Sequence, residues 1–196
     1  MIDAAIDANS PDLLVISGDV THFGPASVAE KILSNLKVRC AAVPGNCDPD
    51  EVLKVIEQRC ISLNGMRVEI DGIPFIGIGG APCCNFNTPR EVSEEEYDSM
   101  LSSTMVEGCV LVSHAPASGT LDLTPSGKSL GSKVIADYVI RYRPLLMLSG
   151  HVHEARGVVE KDGTVFANPG PLKEKKAVIA EISNQNVSAR IVDLSD

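Results

Sequence analysis

The chain has 196 residues, of which 44% are hydrophobic and 4% aromatic, and its formal net charge is −9. This length favours a single domain, residues 1–196, with a full hydrophobic core. The negative charge and the scarcity of aromatic rings argue against a broad nucleic-acid surface. No apolar run approaches the roughly 20 residues of a membrane-spanning helix, and the acidic N-terminal stretch is unlike a signal peptide. We therefore expect a cytoplasmic protein that does not enter a membrane.

The first half of the chain alternates helices with short apolar strands. The predicted elements are a helix over residues 1–8, a strand over 13–17, a helix over 27–36, a strand over 40–43 and a helix over 49–58. In the second helix, Val28, Ile32 and Leu36 have helical spacing and are expected to form its buried stripe. The continuous apolar runs LLVIS and CAAV are typical of strands that are buried on both faces.

In the second half of the chain, the pattern predicts β-hairpins in addition to alternating strands and helices. We predict a hairpin over residues 66–78 that turns at Asp71-Gly72, a helix over 91–105, a strand over 109–113, a loop over 117–132, a helix over 132–142, a strand from 145, a hairpin over 157–166, and a last strand pair over 177–182 and 187–194. Alternating strands and helices followed by hairpins indicate an α/β fold with mixed sheets.

Metal-binding residue types follow the apolar strands. Asp19, Asn46 and His114 each come after one strand, and His151 and His153 come after another. Ligands of open α/β sheets bind beyond the carboxyl ends of the strands, so these side chains are expected to meet. Side chains at i and i+2 of an extended chain share one face, so His151 and His153 are expected to point at the same spot. Carboxylate, amide and imidazole donors suit Mn, Fe, Co, Ni or Zn, whereas the near absence of thiolates argues against a structural zinc site.

Four motifs in this order resemble those of the calcineurin-like metallophosphoesterases. They are GDVT at residues 18–21, GNCD at 45–48, SHAP at 113–116 and GHVH at 150–153, and an NPG segment at 168–170 resembles the small single-domain branch. The resemblance implies two mixed β-sheets stacked as a sandwich between helices. It also implies a metal-dependent phosphoesterase in which a metal-bound hydroxide attacks a small phosphoester substrate.

The same resemblance assigns roles to individual residues. Asp19 bridges two divalent ions, Mn²⁺ being the expected metal. Asn46, His114 and His151 complete one position, and His153 belongs to the other. Asn46 and His114 also line the phosphate and are the expected catalytic residues. Asp48 is expected to orient an imidazole.

The chain departs from the family at its start, where no Asp-x-His motif precedes the first strand. We expect an N-terminally truncated domain that lacks its first strand, either through a late start codon or as a natural short form. An uncovered sheet edge would favour a homo-oligomer. Because Asp-x-His would supply two ligands, at most one ion is expected to bind tightly, although an intact relative would hold two.

Cys47 stands where many family members carry a histidine that protonates the leaving group. A thiol is a poorer acid, which favours phosphodiesters or good leaving groups, although Cys47 is equally compatible with a packing role. His22 is interpreted as a surface or substrate-facing residue, with a replacement ligand as the alternative. The incomplete ligand set also leaves open a catalytically impaired metal-binding or protein-binding scaffold, as in a retromer subunit of the same fold.

The six cysteines show no CxxC spacing. They are Cys40, Cys47, Cys60, Cys83, Cys84 and Cys109. Without a secretion signal, we expect reduced thiols.

Overall fold

The computed structural model describes residues 2–83 and 87–194. Its helices are α1 Ile2–Asn9, α2 Ala26–Leu33, α3 Asp50–Arg59, α4 Glu94–Thr104 and α5 Lys133–Tyr142. Its strands are β1 Leu14–Ser17, β2 Cys40–Val43, β3 Ile61–Ser62, β4 Met66–Ile70, β5 Ile73–Ile78, β6 Ala81–Pro82, β7 Glu91–Val92, β8 Val110–Ser113, β9 Leu146–Leu148, β10 Gly157–Lys161, β11 Thr164–Asn168, β12 Lys176–Ser183 and β13 Asn186–Asp193. Cys84, one of the predicted reduced thiols, lies outside the described residues.

Two main sheets carry the fold. The smaller has the order β1-β2-β3, and its described pairs are parallel. The larger has the order β10-β11-β9-β8-β5-β4 and is mixed, with parallel strands at its centre and antiparallel hairpins at both ends. The expected α/β sandwich is confirmed, with the difference that the mixing of strand directions is confined to the larger sheet.

The layers follow from the three hydrophobic clusters. Between the sheets, Val43 of β2 packs with Phe75 of β5 and Val112 of β8. On the outer side of the small sheet, α2 and α3 contribute Leu33 and Ile56. On the outer side of the large sheet, α4 and α5 cover β5, β8 and β9. Because β1, β2, β8 and β9 are parallel within these layers, their carboxyl ends open on the same side of the sandwich.

The buried stripe of α2 differs from the prediction. Ala29 and Leu33 face the core, whereas Val28 and Ile32 are 43% and 39% exposed. The two stripes lie on neighbouring faces of the helix. Because alanine is small and only weakly apolar, the pattern of large apolar residues did not indicate the buried face. The spacing of apolar residues identified the helix correctly and its orientation wrongly.

The fourth helix begins later than predicted. Residues 91 and 92 form β7, which pairs with β6, and Ser93 caps the helix. The Ser93 hydroxyl accepts from the Glu96 amide while the Glu96 carboxylate accepts from the Ser93 amide. This reciprocal capping box fixes the start of α4 at Glu94.

None of the helices in the described parts of the chain has the length and apolar character that crossing a membrane requires.

Candidate metal centre

Four of the five predicted metal ligands lie together at the carboxyl ends of the strands. Asn46 Oδ1 is 2.9 Å from His114 Nε2 and 3.0 Å from His151 Nδ1. Asp19 Oδ1 is 3.5 Å from the same His114 nitrogen. These residues come from widely separated segments, and the parallel strands β1, β2, β8 and β9 deliver them to one place.

The backbone of β1 sets the orientation of His114. The Nδ1 atom of His114 lies 2.7 Å from the Ser17 carbonyl oxygen. A carbonyl only accepts, so Nδ1 carries a hydrogen, and in the neutral ring Nε2 therefore presents a lone pair to Asn46 and Asp19. In metal-binding histidines, one ring nitrogen is usually fixed by such a hydrogen bond, which leaves the other nitrogen available as a ligand. Sequence reasoning did not identify Ser17, because its contribution is a main-chain carbonyl.

Asp48 braces the two loops that carry Asp19 and Asn46. Its fully buried carboxylate accepts hydrogen bonds from the amides of Val20, Thr21 and Gly45, at 3.0, 2.8 and 2.8 Å, and from the Thr21 hydroxyl at 3.0 Å. This corrects the expectation that Asp48 orients an imidazole. Its oxygens are taken up by amides at the ends of β1 and β2, which leaves the Ser17 carbonyl to orient His114.

Asp19 and His151 both have left-handed backbone conformations, with φ of +50° and +61°. Such conformations are unfavourable for non-glycine residues and concentrate at functional sites. The left-handed conformation of His151 also corrects the prediction that His151 and His153 lie on one face of an extended chain. Strand β9 ends at Leu148, and His153 begins a 3₁₀ turn, so the two imidazoles do not share a strand face. His153 is exposed, and it lies near enough to His151 to lower the pKa of that imidazole.

Two glycines allow these loops to approach each other. A Cβ atom on Gly45 would collide with the Asp19 carboxylate and amide, and one on Gly18 would collide with His114 Nδ1 and lie 2.7 Å from Gly45 Cα. Real Cβ contacts are not this short, so both positions require glycine. Gly18 and Gly45 therefore allow the Asp19 and Asn46 loops to come into contact.

Cys47 and His22 lie around this cluster in different environments. The Cys47 amide donates to Asp19 Oδ1 at 2.9 Å, and its side chain is 8% exposed. His22 is exposed and packs edge to face on Phe23, whose ring centroid is 4.8 Å away. Phe23 is itself 51% exposed, and its amide donates to the Cys47 carbonyl. This geometry agrees with His22 as a surface or substrate-facing residue.

Burial keeps His151 neutral. Desolvation, the neighbouring His114 and, more weakly, His153 lower the pKa of His151 to about 4, against the opposing effect of Asp19. A neutral imidazole has a lone pair to offer, and this is the form that binds metals.

The donor set fits a divalent ion by its chemistry. A carboxylate, an amide oxygen and two imidazoles suit an intermediate transition ion. His114 Nε2, Asn46 Oδ1 and Asp19 Oδ1 lie close together, and each of these atoms can coordinate a cation. In residues 2–83 and 87–194, no group of three or more His, Cys, Asp or Glu side chains is arranged to hold a metal ion, and the arrangement here includes the Asn46 amide oxygen.

Comparison with known proteins identifies the family. Residues 1–155 match the model of the calcineurin-like phosphoesterases. The chain belongs to this family. An uncharacterized protein of Methanocaldococcus jannaschii is 36% identical over 174 residues, which are 82% of this chain and 78% of that protein. Members of this family generally depend on divalent metals. Membership therefore supports a metal-dependent phosphoesterase activity in general terms.

Solved structures of low identity share the fold. TT1561 of Thermus thermophilus superposes with a TM-score of 0.71 at 15% identity, covering 96% of this chain and 89% of that one. GAP50, described as the anchor in the inner membrane complex of Plasmodium, gives a TM-score of 0.64 at 16% identity, with 99% and 78% coverage.

The first prediction concerns Asp48. Replacing it with alanine leaves three amides and a hydroxyl without their charged acceptor, so Asp48→Ala should lower the free energy of unfolding by about 3 kcal/mol or more. Chemical denaturation of the metal-free protein measures this. Asp50→Asn is the matched control, because its side chain is 84% exposed and pairs only with Arg90. Equal stability of Asp48→Ala and wild type would contradict the bracing role.

The second prediction is a pH dependence. The pKa of His151 is about 4 in the fold and about 6.5 when unfolded, so between these values the unfolded chain binds more protons. The stability associated with His151 is therefore present above pH 6.5 and is lost as the pH falls towards 4, by at most about 3 kcal/mol. In urea titrations with a chelator, His151→Gln should flatten this dependence. His153→Gln should retain it, and identical curves for wild type and His151→Gln would disprove the assignment.

Proposed function

We propose that the chain is a metal-dependent phosphoesterase that acts on phosphodiesters. The observation that carries this proposal is the orientation of His114, whose Nδ1 is held by the Ser17 carbonyl while Nε2 faces Asn46 and Asp19. Asp19, Asn46, His114 and His151 would hold one divalent ion, with Mn²⁺ as the proposed metal. A bound ion would supply a Lewis acid that activates water and offsets charge on the phosphoryl oxygens.

The residues of the chain then have separate tasks. Asn46 and His114, the proposed catalytic residues, would hold the ion and line the position of the phosphate. Asp19 supplies the negative charge of the donor set, and the neutral His151 supplies a lone pair without adding positive charge. Cys47 is 8% exposed and is a weak acid, so the leaving group receives little help with protonation. This favours substrates whose leaving group departs readily, such as aryl phosphodiesters.

A scaffold with impaired catalysis is the second candidate. It is favoured by the exposure of His153, the residue proposed for a second ion. The fold of GAP50, described as an anchor, is compatible with a binding role on this framework. Metal content and turnover distinguish the two candidates.

We predict at most one tightly bound ion per chain. Elemental analysis after dialysis against Mn²⁺ should give about one equivalent, because the described residues bring four side-chain donors together at one position. His151→Ala should lose this ion, whereas His22→Ala, which alters an exposed residue outside the cluster, should keep it. Two equivalents in the wild type, or loss of metal in His22→Ala, would overturn the ligand assignment.

We predict turnover of bis(4-nitrophenyl) phosphate in the presence of Mn²⁺. Asp19→Ala and His114→Ala should each reduce kcat/KM by about 100-fold or more, since each removes a group that stabilises the developing charge. Asp71→Asn, at the exposed turn between β4 and β5, serves as the control and should retain wild-type turnover of this substrate. One bound ion with no turnover would support the scaffold instead, and turnover that survives both substitutions would exclude this site as the catalytic centre.

A further inference from the structure

Two thiols lie side by side at the start of neighbouring strands. Cys40 is the first residue of β2, and Cys60 immediately precedes β3. The parallel register pairs Ala41 with Ile61, so the two cysteines occupy adjacent positions one step earlier. Their sulfur atoms are 2.8 Å apart, and both residues are free thiols.

This placement meets the backbone requirement for a crosslink. Paired strands lie about 4.7–4.9 Å apart, and disulfides join residues whose Cα atoms are about 4.4–6.8 Å apart. The register therefore holds Cys40 and Cys60 within bonding range through main-chain hydrogen bonds, independently of their side-chain rotamers. Cys109 is fully buried in the cluster beneath α4 and α5, away from this pair.

The two sulfurs differ in their access to solvent. Cys40 is 5% exposed, whereas Cys60 is only partly buried at the end of α3. The hydrogen bond between the thiols lowers the pKa of Cys60, although desolvation acts in the opposite direction. Cys60 is thus the sulfur that a dissolved oxidant reaches first, and a thiolate is the form that reacts.

We propose that Cys40 and Cys60 form a reversible intrachain disulfide when the protein meets a small-molecule disulfide such as oxidised glutathione. The Cys60 thiolate attacks one glutathione sulfur, giving a mixed disulfide and releasing one glutathione thiolate. Cys40 passes its proton to solvent, attacks the Cys60 sulfur and displaces the second glutathione. Two protein thiols are oxidised by two electrons in total, and one glutathione disulfide is reduced to two glutathione thiols.

The crosslink would enclose the segment that carries Asn46 and Asp48. Cys40 lies at the amino end of β2, and the candidate metal centre lies at its carboxyl end. Closing residues 40–60 into a loop restricts the unfolded chain while leaving the folded metal centre unchanged. The modification would therefore act on stability, and it does not depend on the proposed phosphoesterase activity.

The test is oxidation of the purified chain, residues 1–196, with oxidised glutathione. We expect the number of titratable thiols to fall by two, the intact mass to fall by two hydrogen atoms, and peptide mapping to recover a crosslink between Cys40 and Cys60. Tm should rise by about 5–10 °C, and dithiothreitol should reverse every change.

Single substitutions define the pair and the order of attack. Cys60→Ser should abolish the crosslink and the Tm shift, and Cys40→Ser should stop at a glutathione adduct on Cys60. Cys83→Ser, at an exposed position outside the pair, should form the crosslink as the wild type does. The proposal is overturned if residues 40 and 60 remain reduced, if the wild type stops at the adduct, or if the crosslink joins other cysteines.

Discussion

The buried Asp48 carboxylate is the interaction on which the candidate centre depends. It accepts hydrogen bonds from the amides of Val20, Thr21 and Gly45, which belong to the loops after two adjacent parallel strands. These amides would otherwise be buried donors without partners, and that condition is costly. One acidic side chain thus satisfies the main chain of both loops and fixes their distance. Asp19 and Asn46, one on each loop, inherit their relative position from it.

A second constraint joins the small sheet to the large one. The Ser17 carbonyl ends β1 and accepts from His114, which follows β8 in the other sheet. The apolar packing of Val43 against Phe75 and Val112 brings the sheets to the required distance. The hydrophobic core therefore sets the coarse geometry of the centre, and a few hydrogen bonds to main-chain atoms set the fine geometry. Chemistry at strand tips can be this well ordered because the strands beneath the tips are closely packed.

The sequence predicted the five helices, the longer strands and the residues at the strand ends because these signals are local, but it missed the two-residue strands β3, β6 and β7. Continuous apolar runs marked β1, β2 and β8. The parallel pair β1 and β2 directs Asp19 and Asn46 to one edge, and His114 joins them from the other sheet. The partners of Asp48 could not be read in this way, because backbone amides leave no mark in a sequence. The stripe of α2 and the 3₁₀ turn at His153 were also beyond local patterns, since tertiary packing decides them.

The left-handed conformations of Asp19 and His151 have a consequence for how stability and chemistry are divided in this chain. Glycine would adopt the same backbone at both positions with less strain, but it carries no donor atom. The folded state therefore gives up backbone free energy where it gains a carboxylate and an imidazole. The centre is a locally destabilised region held in place by the surrounding sheets. Substitutions that remove this backbone strain would produce a more stable protein with fewer metal ligands.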